Sequence, residues 1–347
     1  MTRVYVGMSG GVDSSVAAAL LVEQGYDVTG VYMKNWTQDL PGVRCPWADD
    51  LADAKRVAVQ LGIDFKVYDF EQEYREKVVQ YMIDEYEAGR TPNPDIMCNQ
   101  EVKFKLFLET ALGDGADMIA TGHYARVENG VLKCAKDTDK DQTYFLGRIS
   151  GDALKKVLFP LGDFLKSEVR DMAAHRGLWT AKKAESMGVC FVGNVGMREF
   201  LSQYVETHAG PIIDEQTKKT IGQHDGAIFY TLGQRHGLDV GGGLPYYVVG
   251  KNMKKNEVYA STNLNDKGIW RRRLELEQIH WIGTVPTGNN YLVRIRHRAP
   301  LVEAELSVQE TADRGILEFV ESQRATTSGQ SVVFYRDDVC LGSAIVR

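Results

Sequence analysis

The chain has 347 residues, which at about 150 residues per domain predicts two or three domains and excludes a single small module. Hydrophobic residues make up 44%, charged residues 25% and aromatics 10%, a balance that excludes disorder as the main state and supplies a sizeable core. The net charge of −6 hides an uneven distribution: residues 1–200 carry 24 Lys/Arg against 30 Asp/Glu, whereas 251–298 carries ten against four. The longest stretch free of Asp, Glu, Lys and Arg, 278–293, is broken by Pro286, Gly288, Asn289 and Asn290, so no segment reaches the ~20 apolar residues of a membrane helix. The apolar run after Arg3 is too short for a signal peptide, and no membrane partner is expected; the chain reads as cytoplasmic.

In chain order, 3–8 reads as a buried strand, 14–24 as a helix ended by Gly25, 27–33 as a strand and 47–60 as a helix ended by Gly62. Residues 64–70 follow as a strand, 71–88 as a long amphipathic helix, 99–112 as another helix and 117–121 as a strand. This rhythm predicts an α/β fold, a parallel sheet with helices on both faces, binding its ligand at the carboxyl ends of the strands. Beyond Gly210 short β-like runs with glycine turns replace helical periodicity. The runs at 278–283, 291–298, 301–309, 315–321, 331–335 and 339–346 are spaced like a small antiparallel β-barrel. Domains are therefore expected at 1–205, at 206–269 as a small β-rich centre, and at 270–347 as the barrel. The basic segment holds Arg271, Arg272 and Arg273 and the alternating Arg294, Arg296 and Arg298; in a strand that alternation would put the last three on one face, which could hold phosphates.

The first strand runs into Gly7-Met8-Ser9-Gly10-Gly11-Val12-Asp13-Ser14-Ser15 and then a helix. Such a turn lets backbone N–H groups approach an anion at the positive end of the helix dipole. A hydroxyl at the helix start can also donate to a phosphate oxygen. The lysine of a Walker A loop is missing, and the spacing is not that of a dinucleotide fingerprint. The S-G-G-x-D-S string after a first strand resembles the PP-loop of ATP pyrophosphatases, which adenylate a substrate oxygen and release pyrophosphate. That resemblance implies ATP and Mg²⁺, with Asp13 a metal ligand through water.

The five cysteines include no C-x-x-C pair, which indicates neither a disulfide scaffold nor a zinc site, and no resident metal is assigned. Cys98 follows the proline-stiffened Arg90-Thr91-Pro92-Asn93-Pro94-Asp95 and sits beside Asn99, read as a helix cap whose dipole would favour the thiolate. Asp95, three residues before it, is cast as an acid/base partner with a raised pKa. Cys190, bracketed by Gly188 and Gly193, fits either a mobile thiol that travels between two partners or a buried strand cysteine. Cys45, Cys134 and Cys340 read as buried thiols.

Taken together the motifs resemble the tRNA-specific 2-thiouridylases, which place sulfur on C2 of the wobble uridine. The resemblance covers nearly the full chain: 7–15, G-R-T-P-N-P-D-I-M-C-N at 89–99, A-T-G-H-Y at 120–124, K-D-Q-T-Y-F-L at 140–146, G-V-C-F-V-G at 188–193, T-L-G-Q-R-H-G-L at 231–238 and G-Q-S-V-V-F-Y at 329–335. It implies an ATP site on Gly7, Met8, Ser9, Gly10, Gly11, Val12, Asp13 and Ser14, with Met33 beside the adenine and Gly122 after the later strand. It implies that Asn93, Pro94 and Asp95 meet the target base, and that Lys140, Asp141, Gln142, Arg296 and His297 contact tRNA, assisted by His123 and Gln330. His297 stands where family members often carry Tyr, which leaves phosphate contact as its expected role. Cys98 matches the nucleophile and Cys190 the persulfide carrier, so the two would form a disulfide during turnover. The implied partners are tRNA and an upstream persulfide donor protein. An adenylating synthetase acting on a small molecule, and a non-catalytic tRNA-binding or sulfur-carrier protein, are the alternatives.

Overall fold

A computed structural model describes residues 1–39, 44–184, 196–241, 243–263, 269–309, 313–324 and 326–347. Its first layer is a five-stranded, wholly parallel sheet, built from β1 (Arg3–Gly7), β2 (Asp27–Lys34), β3 (Asp64–Asp69), β4 (Met118–Thr121) and β7 (Val157–Leu158), in the order β3-β2-β1-β4-β7. Helices cover it because each parallel connection must cross over a face of the sheet. Helix α1 (Val12–Glu23) is buried along almost its whole length from Val12 to Leu21. Its run of three alanines lets it lie close to the sheet and to the helix Lys166–His175, whose Val169 and Ala173 share its core. Helix α2 (Trp47–Leu61) ends where Gly62 takes φ 66°, a left-handed conformation that glycine adopts without a Cβ penalty.

Two helices behind the sheet carry π-helical turns, at Arg75–Gln80 within 71–87 and at Cys98–Leu106 within 94–113. The second begins five residues earlier than the sequence suggests. Pro94 occupies its first turn, where a missing N–H costs nothing and a fixed φ favours helix. Asn99 is therefore a buried helix-interior residue and not a cap; Asn93 is the capping position.

A four-stranded sheet follows, in the order β10-β11-β8-β9, from β8 (Gly210–Asp214), β9 (Thr220–His224), β10 (Tyr247–Asn252) and β11 (Glu257–Ser261). The last layer is a closed six-stranded antiparallel barrel of β12 (Trp270–Trp281), β13 (Asn290–Arg294), β14 (Val302–Val308), β15 (Gly315–Arg324), β16 (Ser331–Arg336) and β17 (Val339–Val346). Two register shifts in β12 let one long strand pair with β15 near its start and with β17 near its end, which closes the barrel. A hairpin from the first region, β5 (Arg126–Glu128) and β6 (Val131–Lys133), extends the same sheet through Val339 opposite Lys133, and the Arg126–Asp338 ion pair at 2.9 Å fastens it.

The expected alternation of three arginines ends early. Strand β13 stops at Arg294, and Arg298 turns away at φ 62°. Arg294 points inward to Asp141 at 2.9 Å, with its guanidinium 5.3 Å from the Tyr335 ring. The three side chains do not form one phosphate-binding face.

Candidate functional site

The phosphate loop is local in origin. Strand β1 is apolar and buried at the sheet centre, so it delivers Met8–Gly11 to the start of α1 at the carboxyl edge. Gly10 takes φ 75°, and a Cβ there would collide with the carbonyl of Asp50. Gly122, just after β4, lies so close to α1 that a Cβ would sit 2.7 Å from the Ser14 backbone nitrogen. The Met33 methyl lies where a Cβ on Gly7 would meet it at 3.0 Å. The glycines thus bring backbone to the place where an anion needs it.

The serine hydroxyls shape the loop from within. Ser14 donates to the Gly11 carbonyl at 3.2 Å and accepts from the Ser9 amide at 3.2 Å. Ser15 donates to the same carbonyl at 2.8 Å and accepts from Thr180 at 2.9 Å. Ser15, Met8 and Val12 are buried, so Met8 and Val12 offer backbone to a ligand. Asp13 is held by two residues that sequence reasoning missed. Lys166 donates to its two oxygens at 2.6 and 2.8 Å, and the Tyr124 hydroxyl donates to Oδ1 at 2.9 Å. Tyr124 lay inside the A-T-G-H-Y motif; Lys166 lay in no quoted motif.

The thiol loop is assembled from three regions of the chain. Cys98 is buried on the first turns of helix 94–113, on the same side as Asp95 three residues earlier. Burial pushes the Asp95 carboxyl above its ordinary value, with Lys103 on the same helix opposing. From the barrel, the Ser331 amide donates to Asn93 Oδ1 at 3.0 Å and the Ser328 carbonyl accepts from the Thr91 amide at 2.8 Å. Gly329, at φ 88°, passes so close that a Cβ would lie 2.9 Å from Thr91 N. From the central sheet, Thr231 meets Thr91 at 3.3 Å between hydroxyl oxygens, and Met253 closes over Gly89. Lys251 donates to the Tyr230 carbonyl at 2.9 Å, and burial holds its ammonium down at about 8.

Tyr144 also interacts with Asn93 and donates to the Ser331 carbonyl at 3.0 Å. The His297 ring packs on Phe145 at 4.5 Å between centroids, and Asn99 donates to the Phe145 carbonyl at 3.2 Å. Around this junction three buried polar atoms carry no hydrogen bond among the described residues: Asn99 Oδ1, His297 Nδ1 and Gln330 Oε1. Unpaired buried polar atoms are costly, and their concentration at one junction is the mark of a site built for a polar ligand. Tyr144 and Phe145 were also missed as individual contacts, although both lie in K-D-Q-T-Y-F-L.

His123 joins the two halves. It follows Gly122 of the phosphate site, its Nδ1 is 2.7 Å from Thr121 Oγ1, and its ring packs against Phe104 of helix 94–113 at 5.6 Å. Burial holds its imidazole well below the ordinary value, so it is neutral at physiological pH. Of the other expected tRNA contacts, Lys140 lines an open groove of about 440 Å³ with Arg294 and Arg298. Gln142 is pinned to Tyr124 through two 2.9 Å hydrogen bonds. Asp141 departs from its expected role: it is 3% exposed, and its oxygens accept from the Ala135 amide at 3.0 Å, Thr143 at 2.7 Å and Arg294 at 2.9 Å. It positions Arg294 from within the fold. Cys190 lies outside the described residues.

Among the described residues no group of three His, Cys, Asp or Glu side chains could hold a metal ion, and no helix is long and apolar enough to cross a membrane. Three family models match the chain: "tRNA methyl transferase HUP domain" over residues 2–194, "tRNA methyl transferase PRC-barrel domain" over 198–262 and "Aminomethyltransferase beta-barrel domain" over 271–346. Among curated proteins, the tRNA-specific 2-thiouridylase MnmA of Exiguobacterium sibiricum is 46% identical, with 99% of this chain and 94% of that protein covered. The protein of the same name from Halalkalibacterium halodurans is 46% identical with 99% and 94% covered, and that from Enterococcus faecalis 44% with 99% and 95%. With the phosphate loop linked through Gly122 and His123 to the helix that carries Cys98, and relatives matched along nearly their whole length, the chain belongs to the tRNA-specific 2-thiouridylase family.

Proposed function

We propose that this chain is an ATP-dependent tRNA sulfurtransferase that converts the wobble uridine to 2-thiouridine. The observation that supports the reading is the junction itself: through Gly122 and His123 an anion-binding glycine turn is linked to the helix that bears Cys98 and Asp95, and residues before and in the barrel strand β16 cover the start of that helix. An adenylating enzyme needs this adjacency, because the base must meet the nucleotide on one side and the sulfur on the other.

In the first step uracil O2 attacks Pα of ATP. The Pα–O bond to the β-phosphate breaks and its electron pair leaves with pyrophosphate. The N3 proton passes to a base, and burial, which raises the Asp95 carboxyl above its ordinary value, suits it to that role. In the second step a persulfide sulfur carried on Cys190 adds to C2. AMP departs with the C2–O2 bond pair. Cys98 thiolate then attacks Cys190 Sγ, the S–S bond breaks with its electron pair on the sulfur at C2, N3 regains its proton, 2-thiouridine is released and a Cys98–Cys190 disulfide remains, which a two-electron reductant must open. If Cys98 attacks the persulfide first, the freed sulfide adds to C2 and the same disulfide results. The base must leave the anticodon stack to enter, and Asn93, Pro94, Arg296, His297 and Gln330 are the residues proposed to receive it.

Asp13 suits Mg²⁺, because it sets a carboxylate at the mouth of the loop and that ion takes its remaining ligands from phosphates and water; bound there it would neutralise phosphate charge. The sulfur donor is a protein persulfide, and the compartment is the cytoplasm. The small-molecule synthetase reading leaves the barrel contacts to the Cys98 loop without a role.

The test is mass spectrometry of nucleosides from unmodified tRNA incubated with the protein, ATP, Mg²⁺ and a persulfide source, with ATP omitted as control. An ATP-dependent gain of 2-thiouridine is expected. AMP formation without a thiolated base would move the substrate elsewhere, and a mass gain of one methyl group in place of sulfur-for-oxygen exchange would revive the chemistry in the family models' descriptions.

A further inference from the structure

The phosphate loop lacks the lysine that P-loop enzymes place next to the leaving phosphates, and it carries in its stead an aspartate at the positive end of α1. A bare carboxylate there would repel a triphosphate. The fold supplies the missing cation from 153 residues away: Lys166 is the first residue of its helix, its backbone N–H donates to Asp137 at 2.8 Å, and its ammonium grips both oxygens of Asp13. Its side chain is 11% exposed against 32% for Asp13, so Lys166 is the more enclosed partner of the pair. The helix that carries it packs on α1, and the Glu168 carboxylate accepts from the Leu165 amide at 2.6 Å to fix that helix's first turn. These contacts hold the backbone at the helix start and leave the Lys166 side chain able to turn.

From this geometry, and resting on the ATP reading above, we infer that Lys166 is the phosphate-binding cation of the reaction: it neutralises Asp13 while the loop is empty and turns to the β- and γ-phosphates when ATP enters. As the Pα–O bond breaks, the electron pair goes to pyrophosphate. Lys166 gives up no proton in this step and stabilises the developing charge by hydrogen bonds alone.

The test separates binding phosphate from merely holding Asp13. ATP affinity without Mg²⁺ is measured by calorimetry on the full chain for Asp13→Asn and for Asp13→Asn/Lys166→Gln. The double variant replaces the ion pair by two neutral side chains of similar shape, so it buries no unpaired charge. We expect Asp13→Asn to bind about tenfold or more tightly than the double variant. Equal affinities would mean that Lys166 serves only Asp13, and would overturn the inference. In the native background Lys166→Gln is expected to slow tRNA-dependent AMP formation about 10²–10³-fold, with Lys166→Arg recovering most of the binding. Wild-type AMP formation runs alongside: its absence overturns both this inference and the ATP reading, whereas turnover by the wild type with equal affinities of the two variants overturns this inference alone.

Discussion

The phosphate loop and the thiol loop are built on opposite plans. The first is made mainly by about 20 contiguous residues, β1, a glycine turn and α1, with Met33, Asp50, Gly122, Tyr124, Lys166 and Thr180 reaching it from elsewhere. The second needs the barrel, the central sheet and helix 94–113 to be docked before Cys98, Asn93 and Gln330 stand together. The loop that handles ATP can therefore be complete while the sulfur site is not. Changes at the two should separate adenylation from thiolation.

The largest effect is expected at Cys98. Cys98→Ser keeps a hydroxyl of similar size but no thiolate, so thiolation should fall by at least about 10³-fold while tRNA affinity stays near that of the wild type. Nucleoside mass spectrometry and filter binding check the two halves of that statement. Substantial residual thiolation would break the two-thiol scheme. Gly122→Ala probes the other region. Its Cβ would press on the Ser14 amide and the carbonyl carbon of Asp13, at 2.7 and 2.8 Å, and must displace the start of α1. AMP formation should drop about a hundredfold, the cost of a misplacement near 1 Å, with tRNA binding preserved. An unaltered rate would show that the loop is less tightly built than the geometry says.

His123, between the two regions, gives a smaller effect with a definite sign. Its folded imidazole titrates well below the unfolded value of 6.5, because burial between Phe104 and Phe159 disfavours charge. Between those values the unfolded state binds more protons, so stability is gained as pH rises and lost as pH falls below about 6.5. Urea unfolding from about pH 7 to about pH 5 should therefore show a slope that His123→Gln reduces by up to about 1.4 kcal/mol per pH unit. His224, His280 and His297, also held low by burial, leave a remainder. Parallel slopes in the two proteins would place His123 in contact with water.

The two plans also explain what could be read in the residues alone. Alternating strand and helix periodicity and the S-G-G-V-D-S string are short-range patterns, and the parallel sheet and phosphate loop follow from them. The barrel strands were equally visible as short runs between turns. The helix start at Pro94 was hidden because two prolines two residues apart read as extended chain, although the second sits well at a first helical position. The hairpin β5–β6 joining the barrel, Lys166 reaching Asp13 and Asp141 turning inward to Arg294 are contacts between distant residues, for which sequence spacing holds no signal. Asp141 and Arg294 looked like surface groups because charge usually is.

That last pair supports the finest test of the comparison, which concerns how the barrel meets tRNA. If Arg294, Arg296 and Arg298 formed one phosphate-binding face, each would contribute equally to the salt dependence of affinity. The structure separates them. Arg298 is exposed at the rim of the groove beside Lys140, whereas Arg294 neutralises a carboxylate that is 2% exposed. Arg298→Ala should lower the slope of log affinity against log salt by about one and leave the melting temperature alone. Arg294→Ala should instead leave Asp141 buried without its cation and cost about 3–5 kcal/mol of stability. Its effect on tRNA would come through the loss of shape around Thr143 and Tyr335 and not through a lost phosphate contact. Equal slope changes for the two arginines, with equal stabilities, would restore the single basic face.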